Sequence, residues 1–273
     1  MLQNLILYFI NSTLRRDGLF RLLLSLVYYN DSMQEKVFDR VEKKYLVTAR
    51  DKAELVKIIG DNLKKDTYHK SEVFNIYFDN DNFDLITQSI DWTDFKEKIR
   101  ARSYGGYDRV FVEIKTKIRG KDNNIGYKRR VMITKSDYEE FVSGRQNLQA
   151  LSQKSIETVD DLQIAKEADY LIKKLDLKPK ILVVYDREGY KDSDGLRITF
   201  DENLRYRDQN LSFVKANDDK IYFEGDHNII MEIKASGALP LWLVKKMSEL
   251  KLYPQQFSKI GNIYKKLRKD HNV

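Results

Sequence analysis

The stretch FKEKIRARSYGGYDRVFVEIKTKI, residues 95–118, decides how the rest of the chain is read. Its first ten residues alternate: Lys96, Lys98, Arg100 and Arg102 share one side of an extended strand, while Phe95, Ile99 and Ala101 share the other with Glu97. Gly105 and Gly106 then supply a hairpin-like turn. The second run alternates again, with Glu113, Lys115 and Lys117 set against Val112, Ile114 and Thr116. Two neighbouring strands therefore each carry one apolar face and one basic face.

Working outward, the same period of two recurs. FDRVEKKYLV (38–47) reads as a strand with Glu42 and Lys44 on one face, followed by a helix over 49–65 that Thr48 caps. Further strands are expected at 73–79, 125–134, 180–188, 195–200, 219–224 and 228–235, with helices starting after Ser136 and covering 157–175. A helical tail over 240–269 closes the chain. Nine strands with helices between them predict an α+β domain over 33–273, built on a closed antiparallel barrel.

On these strands the charges keep to one side. Lys128 and Arg130 share a face, as do Tyr185 and Arg187, Arg197 and Thr199, and Glu232 and Lys234, with Arg129 an exception. A single charged face is ordinarily the solvent side of a half-buried sheet. Together, however, and leaving out Lys96 at the start of its strand, these faces hold eleven basic residues (Lys44, Lys98, Arg100, Arg102, Lys115, Lys117, Lys128, Arg130, Arg187, Arg197, Lys234) against Glu42, Glu113 and Glu232. The chain has 49 Lys and Arg against 42 Asp and Glu, so the remainder, 38 against 39, is close to neutral. The whole surplus sits on one set of faces. Closed inward, they would form a cavity whose like charges need an anion, because buried charges must be paired. A flat basic sheet for nucleic acid would interleave aromatics with the cations, and here most aromatics lie opposite, which favours condensed phosphate over nucleic acid.

Composition narrows the chemistry. Without cysteine there are no disulfides, thiolate metal sites or cysteine nucleophiles, and the three histidines lack metal-ligand spacing. Any metal must be held by carboxylate oxygen, pointing to Mg²⁺ or Mn²⁺. Residues 1–32 hold two apolar runs, LILYFI and LFRLLLSLVYY, both too short to span a bilayer. They read as a helical extension packed on the domain or an early start before Met33, with peripheral membrane contact as an alternative. A cytoplasmic protein of unspecified oligomeric state is expected.

The ordered set VEKKYLV (41–47), NIYFDN (75–80), KIRARSYG (98–105), VFVEIKTK (110–117), YKRRV (127–131), YDREGY (185–190), LRITFD (196–201), MEIKASG (231–237), LPLWL (239–243) and FSKIG (257–261) resembles the VTC domain of polyphosphate polymerases, within the triphosphate tunnel metalloenzyme (CYTH-like) superfamily. The resemblance implies an eight-stranded antiparallel tunnel with flanking helices. It implies phosphate ligands at Lys44, Arg100, Arg102, Lys115, Lys128, Arg130, Tyr185, Arg187, Arg197, Ser258 and Lys259, with Lys98, Lys117 and Lys234 on the same faces. Glu232 looks like the metal ligand, with Glu42 and Glu113 in support. The implied reaction moves the γ-phosphate of ATP onto diphosphate or growing polyphosphate, with Mn²⁺ or Mg²⁺. In it Arg100, Arg102, Arg187 and Arg197 hold the triphosphate, and Lys44, Lys115 and Lys259 neutralise charge on the transferring group. A triphosphatase on the same fold and a polyphosphate-binding module are the alternatives.

Two departures matter. The superfamily's Glu-x-Glu-x-Lys strand is reduced to Glu42-x-Lys44, as in VTC-type members, and Gln256 stands where eukaryotic polymerases tend to carry a further lysine. No SPX-type segment precedes the tunnel region and no membrane domain follows it, so regulation and translocation are expected to need other proteins.

Overall fold

A computed structural model describes residues 40–91, 93–120, 124–153 and 159–270. The readings made for 1–32 lie outside the described residues. Among the described residues no helix is long and apolar enough to cross a membrane.

One antiparallel sheet organises the chain. Its strands are β1 (Arg40–Val47), β2 (Lys64–Asp79), β3 (Phe95–Tyr104), β4 (Val110–Arg119), β5 (Asn124–Ile133), β6 (Lys178–Lys191), β7 (Arg197–Arg207), β8 (Lys220–Ile221) and β9 (Ile229–Ser236). The order is β1-β9-β7-β6-β2-β3-β4-β5, with β8 on the side of β7. The expected closure is not made by backbone pairing among the described residues. The sheet instead curls until its two end strands face one cavity, Glu42 and Lys44 from β1 and Lys128 from β5 lining the same space.

Apolar alternation gives the sheet a packed outer face. On the outside of β2–β5, Phe74, Ile76, Ile99, Val112, Ile114 and Val131 pack under α3 (Lys135–Val142), α4 (Leu148–Ser152) and α5 (Val159–Lys174). Outside β1, β9 and β7, Val47, Ile198, Phe200 and Met231 pack under α1 (Ala49–Asn62) and α6 (Leu241–Glu249). On the concave side, α7 (Lys259–Asp270) enters the curl and packs Ile260, Ile263, Tyr264 and Leu267 on Val73, Ile181, Val183 and Tyr206. The part of the concave face that α7 leaves uncovered becomes the cavity.

Local signals set several boundaries. Thr48 caps α1 in a capping box with Asp51, as its position suggested. The helix expected after Ser136 starts two residues earlier, where Thr134 and Asp137 form a second capping box. The predicted tail over 240–269 is two helices, not one. Lys251 takes a left-handed conformation, with φ of 52°, and Pro254 follows, so residues 252–258 form neither helix nor strand. There the Gln255 amide donates to the Lys44 carbonyl at 2.7 Å, covering part of the β1 edge. A short helix that the pattern did not predict, α2 (Asp84–Ile90), is held by buried Asp79, whose carboxylate accepts from the Leu85 and Ile86 amides.

Candidate functional site

Strand register converts the alternating pattern into rows of side chains. Lys98 pairs across with Lys115, and Lys115 with Lys128; Lys96 pairs with Lys117. Like charges directly opposite one another destabilise a sheet. Three lysines in one cross-strand row therefore cost stability that an anion would recover. The next rows run Tyr77, Arg100, Glu113, Arg130 and Asn75, Arg102, Phe111.

These rows wall a cavity of about 750 Å³. Fourteen Lys and Arg side chains line it against three acids, Glu42, Asp94 and Glu232, so its field is strongly positive. Of the residues singled out by sequence, Lys44, Lys98, Arg100, Arg102, Lys115 and Lys117 line it, as do Lys128, Tyr185, Arg187, Arg197 and Lys234, and Glu42, Glu232, Ser258 and Lys259. Gln256 does as well.

Two are placed otherwise. Arg130 is exposed and stacks on Phe111, its guanidinium 4.8 Å from the ring centre, outside the cavity lining. Glu113, expected to support a metal, lies behind the lining with its side chain 1% exposed and is occupied by cations. Its Oε2 accepts from Arg100 Nε at 2.8 Å and its Oε1 sits 2.7 Å from Lys128 Nζ. Burial alone would raise its pKa; Arg100, Arg102 and Lys128 outweigh that and hold it at about 2.

A second buried acid repeats this arrangement. Asp201 accepts from Arg187 through both oxygens, at 2.6 and 2.8 Å, and pairs with Lys259 Nζ at 2.6 Å. Its side chain is 0% exposed. Lys259 and Arg187 keep its pKa low against the upward pull of burial. A third acid, Asp66, holds Arg197 Nε at 2.8 Å and Lys191 at 2.9 Å. Arg102 is oriented by neutral groups, donating from Nε to Asn75 Oδ1 at 2.8 Å and from Nη2 to the Tyr185 hydroxyl at 3.3 Å. Lys259 lies 4.7 Å over the Tyr185 ring. The guanidinium forks are thus fixed by these neighbours while they line the cavity.

The central lysines differ. Lys98 reaches only the Ser258 hydroxyl, at 3.4 Å, and no carboxylate is paired with Lys98, Lys115 or Lys117 among the described residues. Burial and neighbouring cations push both Lys98 and Lys115 down to about 8. Tyr77, which burial would raise, is brought to about 8 by Arg100 and Lys98.

Ser258 begins α7, its Oγ accepting from the Gly261 amide at 3.3 Å, so the positive end of that helix opens on the cavity beside Lys259. A Cβ at Gly261 would meet the Ile90 side chain at 3.1 Å, a tight contact that Ile90 would have to shift to accommodate. On the opposite wall Glu232 and Glu42 converge on Lys234 Nζ, at 2.9 and 3.7 Å. Burial would raise Glu232, but Lys234, Lys44 and Lys259 hold it below the usual carboxylate range. The Glu232 and Glu42 carboxylates are hard oxygen donors in the lining that could hold a divalent cation. Among the described residues no group of three or more potential protein ligands is present.

Sequence reasoning missed several contributors. Asp201 was legible, since it continues the Arg197, Thr199 alternation. Lys96 obeys the same rule as Lys98. Tyr104 likewise continues the Arg100, Arg102 alternation, whereas Asp66 was not legible, because its placement depends on an irregular stretch of β2. Lys265 reaches the cavity only because α7 enters the curl.

Comparison with known proteins follows this geometry. The VTC domain profile matches residues 39–268. A protein of Schizosaccharomyces pombe named vacuolar transporter chaperone complex subunit 4 is 26% identical over 144 residues, covering 48% of the chain and 20% of that protein. Its namesake in Trypanosoma brucei brucei is 25% identical over 205 residues, covering 62% of the chain and 26% of that protein. The chain thus matches about a quarter or less of the length of these curated relatives. Looser likenesses among solved structures include the PH1819 protein of Pyrococcus horikoshii OT3 (17% identity, TM-score 0.40, 83% of this chain and 99% of that one). Another is a putative adenylyl cyclase from Hippeastrum, described as having a dominant triphosphatase activity (14%, 0.45, 81% and 92%). The profile match over most of the chain, on the strands that build the cavity, shows that the chain belongs to the VTC domain family.

Proposed function

We propose that this chain is a polyphosphate polymerase, transferring the γ-phosphate of ATP to a growing inorganic polyphosphate chain inside the basic cavity. The observation that carries this reading is the cross-strand row Lys98, Lys115, Lys128, in a cavity whose cations outnumber its acids and whose α7 N-terminus opens inward. A ligand with dense, repeated negative charge offsets the repulsion that remains in such a row, and condensed phosphate has that charge at every unit. Membership of the VTC domain family supports the same substrate class.

Phosphoryl transfer needs positioning and charge stabilisation more than covalent help from the protein. Arg100, Arg102, Arg187 and Arg197, held from behind by Glu113, Asn75, Asp201 and Asp66, orient the triphosphate before it reacts. A terminal oxygen of diphosphate or polyphosphate attacks the γ-phosphorus, forming the new P–O bond as the bond to the β-phosphate oxygen breaks and ADP leaves with the electron pair. Lys44, Lys115 and Lys259 face the transferring group and neutralise its charge. Lys98 and Lys115, near pH 8 in their titration, gain full charge when phosphate enters. Glu232, with Glu42 in support, would hold Mn²⁺ or Mg²⁺, which when bound neutralises charge on the phosphate oxygens.

The test is incubation of purified protein with ATP and Mn²⁺, with and without diphosphate, resolved on a polyphosphate-staining gel beside Lys115→Ala and Glu232→Ala proteins. A ladder that both variants lose is expected. Orthophosphate without a ladder would mean that water is the acceptor, and binding without turnover would leave a polyphosphate-binding module. Full polymer synthesis by Lys115→Ala would remove the tunnel mechanism.

A further inference from the structure

The two ends of the cavity are chemically unlike. β3 lines it from Lys96 to Tyr104, eight residue steps or ~26 Å of strand. Near Lys96 the lining adds Lys117, Arg119 and Lys265. Near Tyr104 aromatic rings take over: Tyr104 lies 6.4 Å from Tyr68 at an interplanar angle of 17°, Tyr68 meets Tyr107 edge-on at 6.0 Å, and Tyr104 meets Phe111 at 6.3 Å.

Tyr68 and Tyr107 are 58% and 49% exposed. The sheet places Tyr68 there by an irregularity. Between Lys65 and Lys70, five steps along β2 match only two along β6, from Tyr190 to Glu188, so residues 66–69 bulge out of register. Bulges re-aim side chains and concentrate beside active sites. This one does two things together: it carries Tyr68 to Tyr104, which lines the cavity, and Asp66 to Arg197, which it holds at 2.8 Å. The aromatic platform is therefore continuous with the arginines assigned above to the triphosphate.

We infer that Tyr68, with Tyr104 and Tyr107, forms a stacking platform for the nucleobase of the nucleoside triphosphate donor, so that the donor enters at this mouth. The inference rests on the triphosphate reading of the cavity. Flat, partly exposed rings beside a basic groove stack any base through its π-face, and the nucleoside is what distinguishes ATP from inorganic triphosphate. The opposite mouth, dominated by lysine and arginine side chains, suits a polymer without bases.

Calorimetric titration with Mg²⁺-ATP and, separately, with inorganic tripolyphosphate tests it on the full chain. A Tyr68→Ala/Tyr107→Ala protein is expected to bind ATP five- to tenfold more weakly, up to about 1.4 kcal/mol at 1.4 kcal/mol per decade. Its tripolyphosphate affinity should stay within twofold of wild type, and Tyr68→Trp should keep or improve ATP binding. Equal losses for both ligands would show that the rings only brace the bulge, and no loss for either would also overturn the platform while leaving the phosphate cavity standing. A wild-type protein that binds neither ligand would overturn the cavity reading and the platform with it. Photolabelling with 8-azido-ATP should mark peptides around Tyr68, Tyr104 or Tyr107; label around Lys96 and Lys117 would put the base at the other mouth and refute the assignment.

Discussion

Replacing Asp201 by asparagine removes one negative charge and almost no volume. In the native protein both carboxylate oxygens are used, Oδ1 by Arg187 Nε and Oδ2 by Arg187 Nη2 and Lys259 Nζ, with the aspartate side chain 0% exposed. An amide in the same position must turn its NH₂ toward one of these donors. Two buried cations then lose their shared counter-charge. Breaking a buried pair in this way costs about 3–5 kcal/mol. At about 2–4 °C per kcal/mol for a domain of this size, the Asp201→Asn protein should melt ~6–20 °C below wild type. Tripolyphosphate brings anionic oxygens to the same two cations, so at saturation it should raise the variant's Tm by at least as much as wild type's. At one hundred times Kd that increment corresponds to about 2.7 kcal/mol. Differential scanning fluorimetry with and without tripolyphosphate reads both quantities. Polymer synthesis should fall tenfold or more, because Arg187 and Lys259 lose the partner that orients them. A Tm within about 2 °C of wild type, which on the same scale is roughly 1 kcal/mol or less, would refute the view that Asp201 holds these cations in place.

Glu113 makes a prediction in acid. Its folded pKa of about 2 lies below the ordinary 4.5, so its stabilisation is complete above pH 4.5 and is lost as pH falls toward 2. The shift corresponds to about 3 kcal/mol, and Glu113→Gln should flatten the acid limb of stability measured by urea titration between pH 5 and 2.5. Lys98 and Lys115 behave oppositely. With folded values near 8 against an ordinary 10.5, the unfolded chain binds more protons between these limits, so their contribution makes ligand-free stability rise with pH from about 8 to 10.5. Tripolyphosphate should restore their charge, so binding at pH 8.5 takes up protons and affinity falls from pH 7.5 to 9.5. Calorimetry in buffers of different ionisation enthalpy measures the uptake, and a Lys98→Met/Lys115→Met protein should lose most of it. Asp66→Ala frees Arg197 and is expected to weaken tripolyphosphate binding a few-fold with little change in Tm, read by calorimetry and fluorimetry on the same sample.

Much of the site was legible because a strand has a period of two and the cavity wall is made of strands. Lys98, Arg100 and Arg102, then Lys115 and Lys117, needed only alternation to be placed on one face. The concave direction of that face followed from charge, since no solvent face needs eleven cations against three acids. What alternation does not carry is register or curvature. Arg130 has the right parity and still falls outside the lining, because it stacks on Phe111. Glu113 also has the right parity, yet it lies behind the lining, where Arg100 and Lys128 occupy it. The break at Lys251 and Pro254 was hidden by apolar periodicity on both sides, although it is what positions Ser258 and Lys259.

The cavity divides its cations into two kinds, and the division explains how so basic an interior stays folded. Arg100 and Lys128 share Glu113, Arg187 and Lys259 share Asp201, Arg197 has Asp66, and Lys234 has Glu232. In the structure these six are paired, and the geometry of the arginines among them is set in advance. Lys98 and Lys115 lack a carboxylate among the described residues and respond by lowering their pKa toward neutrality. Lysine suits that second role and arginine does not, because an ammonium can give up its proton when desolvated whereas a guanidinium keeps its charge. An all-arginine wall would carry its full repulsion in the empty state. The observed pattern places permanently charged forks where buried acids can hold them and adjustable charges in the middle of the wall, where an incoming anion can complete them.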